Sequence, residues 1–179
     1  MSVRITFLAL AIAAAVAGTS VVTLAPQWAS AESAITHGSL TIEQPWARAT
    51  PKAAKVGAGY IRITNNGSAD DRLVSAETDI AGVTELHTMS MTDGVMRMRR
   101  MENGLVIKAG ETIELAPGGD HIMFMRLPAP ITKDQKFKTR LLFEKAGPIE
   151  VTFSAVRIGG TPKGAKRGSH GAQPTRGSH

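Results

Sequence analysis

Short alternating runs, not helical periods, organise this chain. Beyond residue 31, apolar and polar side chains exchange almost residue by residue, the period of a strand whose successive side chains face opposite ways. Such runs cover residues 40–44, 57–65, 72–77, 85–91, 95–101, 112–115, 121–127, 137–144 and 149–158. Between them lie Asn65-Asn66-Gly67, Asp93-Gly94 and Pro117-Gly118-Gly119-Asp120, segments whose Gly, Asn and Asp tolerate the positive φ of tight turns. No stretch of this region holds a long 3.6-residue apolar period with capping residues, and no internal repeat is evident. The pattern predicts an all-β sandwich or barrel.

The two ends depart from this pattern. Arg4, the uncharged stretch that follows it and the small-residue Ala29-Ser30-Ala31 site before Glu32 have the layout of a secretory signal peptide over residues 1–31. The rival is an uncleaved anchor, since the uncharged stretch is long enough to cross a bilayer, but Pro26 and the many Ala, Gly, Ser and Thr residues favour cleavage. Ala15-Val16-Ala17 also fits a cleavage site. Export to a bacterial periplasm is expected, with no stable membrane insertion after cleavage. The folded domain is then expected over residues 32–158. Residues 159–179, rich in Gly and basic side chains, read as a disordered tail whose repeated Arg-Gly-Ser-His is either natural or a remnant of an expression tag. The formal net charge of +6 suggests nucleic acid until it is divided along the chain. Arg4 and the four cationic residues of the tail leave only +1 for the body, so no nucleic-acid partner is expected.

Composition narrows the chemistry. With no Cys, the chain cannot form disulfides, iron–sulfur clusters, thiolate zinc sites or thiolate-ligated copper centres. No nucleophile-and-base pair presents itself, so an enzyme is not expected. What does stand out is methionine: seven of the eight fall between Met89 and Met125. A single Met is ordinarily core filler, but these recur at every second position, in His87-x-Met89-x-Met91, Met96-x-Met98 and His121-x-Met123-x-Met125. A two-residue turn at Asp93-Gly94 would pair Thr92 with Val95, Met91 with Met96, Met89 with Met98 and His87 with Arg100. One face of one hairpin would then carry His87, Met89, Met91, Met96 and Met98, with Met98 diagonal to His87. Imidazole and thioether together are a soft, neutral donor set that suits Cu(I) and hardly holds Ca²⁺ or Mg²⁺. Two of each around Cu(I) leave a charge near +1, which calls for no buried carboxylate.

The segment from His87 to Met98, the Pro-Gly-Gly turn and His121-Ile-Met123 resembles the periplasmic copper chaperone family PCuAC. That family's motif is His, ten residues, Met, about twenty-one residues, then His-x-Met. Here the first gap is ten residues and the second twenty-two, the extra residue being expected in the loop around residues 102–110. The likeness extends to Pro45-Trp46-Ala47-Arg48-Ala49-Thr50-Pro51, Gly59-Tyr60 and Asp71-Arg72-Leu73. The resemblance implies a cupredoxin-like Greek-key β-barrel or sandwich, with His87, Met98, His121 and Met123 ligating Cu(I). It further implies delivery of copper for the CuA centre of cytochrome oxidase, with a copper-accepting partner such as oxidase subunit II or a Sco-type thiol protein. Met89, Met91, Met96 and Met125 are expected to line the site, serve as secondary ligands or pack. Some family members bind Cu(II) through a His- and Met-bearing C-terminal extension, which His170 and His179 match only faintly. His37 is expected at the surface and Trp46 in the core. Arg97, Arg99 and Arg100 lie beside the site, either as a solvated face or as a dock for an acidic acceptor. The protein is expected to be a monomer; the competing reading is a metal-free β-sandwich interaction module with a Met-rich binding face.

Overall fold

The structure, a computed structural model, describes residues 34–162 and 165. The expected signal peptide and its cleavage sites, and the tail residues His170 and His179, lie outside the described residues. Eleven strands and no helix make up the described part: β1 (Ile35–His37), β2 (Leu40–Arg48), β3 (Val56–Asn65), β4 (Asp71–Glu77), β5 (Val83–Thr92), β6 (Val95–Arg100), β7 (Leu105–Ile107), β8 (Thr112–Leu115), β9 (His121–Met125), β10 (Lys136–Phe143) and β11 (Gly147–Val156).

Alternation in sequence becomes alternation in burial. Along β10 each of Phe137, Thr139, Leu141 and Phe143 is buried between exposed neighbours, and β11 repeats this with Ile149, Val151, Phe153 and Ala155. These inward faces meet an aromatic cluster in which the Phe124 ring stands edge-on to both Phe137 and Phe153, at centroid distances of 5.4 and 5.9 Å. Each such buried ring contributes about 1.5–3 kcal/mol by leaving water. Leu40, Ile42, Ile61, Ile63, Leu73 and Ile107 complete the centre of the core.

Hydrogen bonding runs through one continuous order, β6-β5-β9-β3-β2-β11-β10-β4-β7, with β1 added to β2 and β8 to β3. Every pairing is antiparallel except β11 with β2, where Ser154 lies opposite Trp46. β3 serves two neighbours in turn: its first half pairs with β9 and its second with β8. The sheet folds over on itself, because β4 also approaches β5 although they lie far apart in the hydrogen-bonded order.

Three expectations need correction. The strand at 40–44 does not stop before Pro45; β2 runs on to Arg48 through a bulge between Glu43 and Trp46, where Gln44 takes φ 50°. A bulge removes Pro45 from the ladder, which is what a residue without an N–H requires. The stretch 102–110 is not simply a loop, because β7 lies within it and pairs with β4. Order also continues past residue 158, where Gly160 is buried and its carbonyl accepts the Arg48 Nε–H at 3.0 Å.

Candidate metal centre

The site grows from a tight turn. Asp93 and Gly94 both take positive φ, 51° and 77°, the two-residue geometry that matches the twist of a hairpin. With the turn fixed, β5 and β6 pair Thr92 with Val95, Met91 with Met96, Met89 with Met98 and His87 with Arg100. The next strand, β9, places His121 opposite His87, Met123 opposite Glu85 and Met125 opposite Val83. Cross-strand partners share a face. One face of β6-β5-β9 therefore gathers His87, Met89, Met91, Met96, Met98, His121, Met123 and Met125, and the opposite face of the same strands sends Leu86, Ile122 and Phe124 into the core.

Within that face the positions differ. The two imidazoles stand with ring centroids 5.9 Å apart. His121 is buried and His87 nearly so, while Met89 and Met123 are half-buried. Met98, Met96 and Met91 are exposed, together with Val95, because the hairpin tip reaches past the end of β9. Met125 is set apart: it lies two residues beyond Met123 and lines an open cavity of about 610 Å³ with Val56, Val83, Lys55, Arg126 and Glu85. On the other flank, Trp46 packs on Tyr60 at 4.4 Å with the Arg48 guanidinium over both rings. Burial pushes the Tyr60 phenol up, and the Arg48 charge pulls it the other way. His37, on β1, is exposed as expected, and Trp46 is buried as expected.

Hydrogen bonds fix the ring nitrogens. His121 Nδ1 lies 3.0 Å from the Gly119 carbonyl, which can only accept, so Nδ1 carries the proton and Nε2 of the neutral ring has the lone pair. His87 Nε2 lies 2.8 Å from Glu85 Oε2, again an acceptor, which in the neutral ring leaves the lone pair on Nδ1. That Nδ1 is buried and has no hydrogen-bond partner. An unpaired buried acceptor is uncommon and costs about 1–3 kcal/mol, and an incoming metal would satisfy it. Among the described residues no three His, Cys, Asp or Glu side chains are placed to hold a metal together. The thioethers of Met89, Met98 and Met123 are the further donors on this face.

Glu85 is a residue of this face that the sequence pattern does not single out. A carboxylate was not called for by a soft site, yet Glu85 stands on the same face with only 18% of its side chain exposed. Its position two residues before His87 was the available signal. The arginines also divide: Arg100 is on the site face, with Nη1 3.2 Å from Glu85 Oε1, whereas Arg97 and Arg99 pair with Ser90 and Thr88 on the other face.

Fold and site together define a class: an all-β, cupredoxin-like Greek-key domain with soft donors gathered on the outer face of β6, β5 and β9. A family model described as "Putative lipoprotein LpqE-like" matches residues 40–155, and the chain belongs to that LpqE-like family. The protein "Putative lipoprotein Lxx21020" of Leifsonia xyli subsp. xyli is 32% identical over 112 residues, which are 62% of this chain and 66% of that protein. The chain thus spans just under two thirds of that relative's length. Among solved structures, the apo PCuAC domain from PmoF1 superposes with TM-score 0.60 at 24% identity, covering 70% of this chain and 99% of that domain. The copper-bound PCuAC domain from PmoF2 gives 0.60 at 22%, covering 70% and 98%. The Cu(I) form of DR1885 from Deinococcus radiodurans gives 0.52 at 24%, covering 71% and 83%. At these identities the likeness is one of fold.

Proposed function

We propose that this protein is a periplasmic Cu(I) carrier that holds its ion with His87, Met98, His121 and Met123 and passes it on by ligand exchange. The observation that carries the reading is the unpartnered, buried Nδ1 of His87 across the strand pair from His121, on a face otherwise lined with thioethers. Neutral nitrogen and sulfur donors match Cu(I) in softness and need no counter-charge. The copper-bound PmoF2 domain and the Cu(I) form of DR1885, which share this fold, support the assignment, and the lipoprotein relative supports export. Met89, Met91 and Met96 offer alternative donors along the hairpin, and Met125 packs against the neighbouring cavity.

Exposure gives the exchange a direction. Met98 is 46% exposed and His121 only 6%, so an acceptor reaches the thioether first and the buried imidazole last. Thiolates or imidazoles of the acceptor replace the Met ligands one by one, and Cu(I) is never free. The acceptor is a copper-receiving protein such as cytochrome oxidase subunit II, at its CuA centre, or a Sco-type thiol protein. The protein acts as a carrier, not an enzyme.

Anaerobic titration with Cu(I) against a coloured competing chelator tests the reading. One tight equivalent is expected in the parent and none in the folded M98L/M123L variant, since Leu keeps the volume and removes the sulfur. Equal weak binding in both would instead favour a metal-free interaction module, for which the exposed Met91, Val95, Met96 and Met98 speak.

A further inference from the structure

We propose that Glu85 is a positioning residue: it selects the nitrogen of His87 that meets the metal, while Arg100 holds the carboxylate out of the ligand set. The proposal's consequence for copper rests on the carrier reading above, but its geometry does not. Glu85 and His87 are two residues apart on β5 and so share a face. Both carboxylate oxygens are engaged: Oε2 accepts from His87 Nε2 at 2.8 Å, and Oε1 lies 3.2 Å from Arg100 Nη1. Arg100 itself stands opposite His87 on β6, so the carboxylate links β5 to β6 across the hairpin. With 18% of the Glu85 side chain and 13% of the His87 side chain exposed, water is a poor substitute for either partner.

Two consequences follow from the donor inventory. An acceptor-only carboxylate forces the proton onto Nε2 and leaves Nδ1 as the donor to a metal. His121 is fixed in the opposite sense by the Gly119 carbonyl, so the two rings present different nitrogens. Arg100, which only donates, occupies the oxygen that would otherwise be a hard ligand beside Met123, the residue opposite Glu85. The Glu85–Arg100 pair therefore orients a soft site and keeps it soft.

The test uses isosteric E85Q. Its single amide oxygen has to serve either His87 or Arg100, and Arg100 accepts nothing, so the oxygen turns to Arg100 and the amide N–H₂ to His87. The His87 proton then moves to Nδ1. Ring ¹⁵N shifts of the apo protein read this directly. We expect the Nε2-bound proton in the parent, the Nδ1-bound proton in E85Q, and the parental tautomer restored in E85Q/R100M. Cu(I) affinity is expected to fall about 10- to 100-fold in E85Q and to recover in the double variant. R100M alone keeps the parental tautomer and gains Zn(II) affinity by about tenfold, because a carboxylate oxygen is released. A His87 that keeps its Nε2 proton in E85Q overturns the orienting role, and unchanged Zn(II) affinity in R100M overturns the exclusion. The tautomer switch without Cu(I) binding by the parent would sink the carrier reading and leave this inference standing.

Discussion

Gly59 shows how tightly single residues tie core to site. A Cβ built there would meet Phe124 carbons at 2.7 and 2.8 Å and a Phe153 carbon at 3.0 Å. Gly59 also pairs with Ile122, the residue between His121 and Met123. G59A is therefore expected to lower stability by about 1–3 kcal/mol through overpacking, read as a lower urea midpoint. Phe124 belongs to β9, so strain passed from its ring to the strand should weaken Cu(I) affinity as well. A loss of stability with undiminished affinity would show that the aromatic rings absorb the clash and β9 keeps its place. At this scale the sequence was readable where chemistry is unusual: Met and His at alternate positions have few structural reasons to recur. Glu85 was not readable by the same logic, since its role comes from what it holds, the His87 proton and Arg100, and not from metal preference.

Among the elements, the β5–β6 hairpin was legible to the residue, because Asp93-Gly94 allows essentially one turn and the turn dictates the register. G94A puts a Cβ at φ 77°, at a cost of about 1–2 kcal/mol. All six β6 residues are exposed, so this cost should fall on the hairpin and not on the core. Amide exchange over residues 88–99 is expected to quicken roughly 5- to 30-fold, the equivalent of that energy, with the urea midpoint unmoved. A midpoint that falls by the same energy would place the hairpin inside the cooperative core. Elements set by distant partners were the illegible ones. Leu105, Val106 and Ile107 become a strand only because β4 lies alongside, and Ile35 to His37 only because β2 does. The course of β2 past Pro45 was hidden because proline ordinarily ends a strand, and the bulge that admits it is a tertiary compromise.

For the whole molecule, the order of strands makes metal loading a structural event. β6 is a terminal strand of the sheet, joined only to β5; β5 joins β9, and β9 joins the long β3 that crosses the core. The proposed ligands come one from β6, one from β5 and two from β9, so a bound ion fastens the loosest strand to the inner ones. An ion that binds only the folded state at a free concentration of 100 times its Kd adds about 2.7 kcal/mol, which for a domain of this size raises Tm by roughly 5–10 °C. The gain should not be evenly spread. Amides of β6 and of the outer part of β5 are expected to gain the most protection from exchange, and those of β10 and β11, already packed around Phe137 and Phe153, the least. In M98L alone the thermal gain should shrink and the added protection of β6 should vanish, while β9 still responds through His121 and Met123. Protection of β6 that survives M98L would mean that Met89 or Met96 supplies the sulfur, and that the hairpin presents a run of interchangeable thioethers along which an ion can be passed.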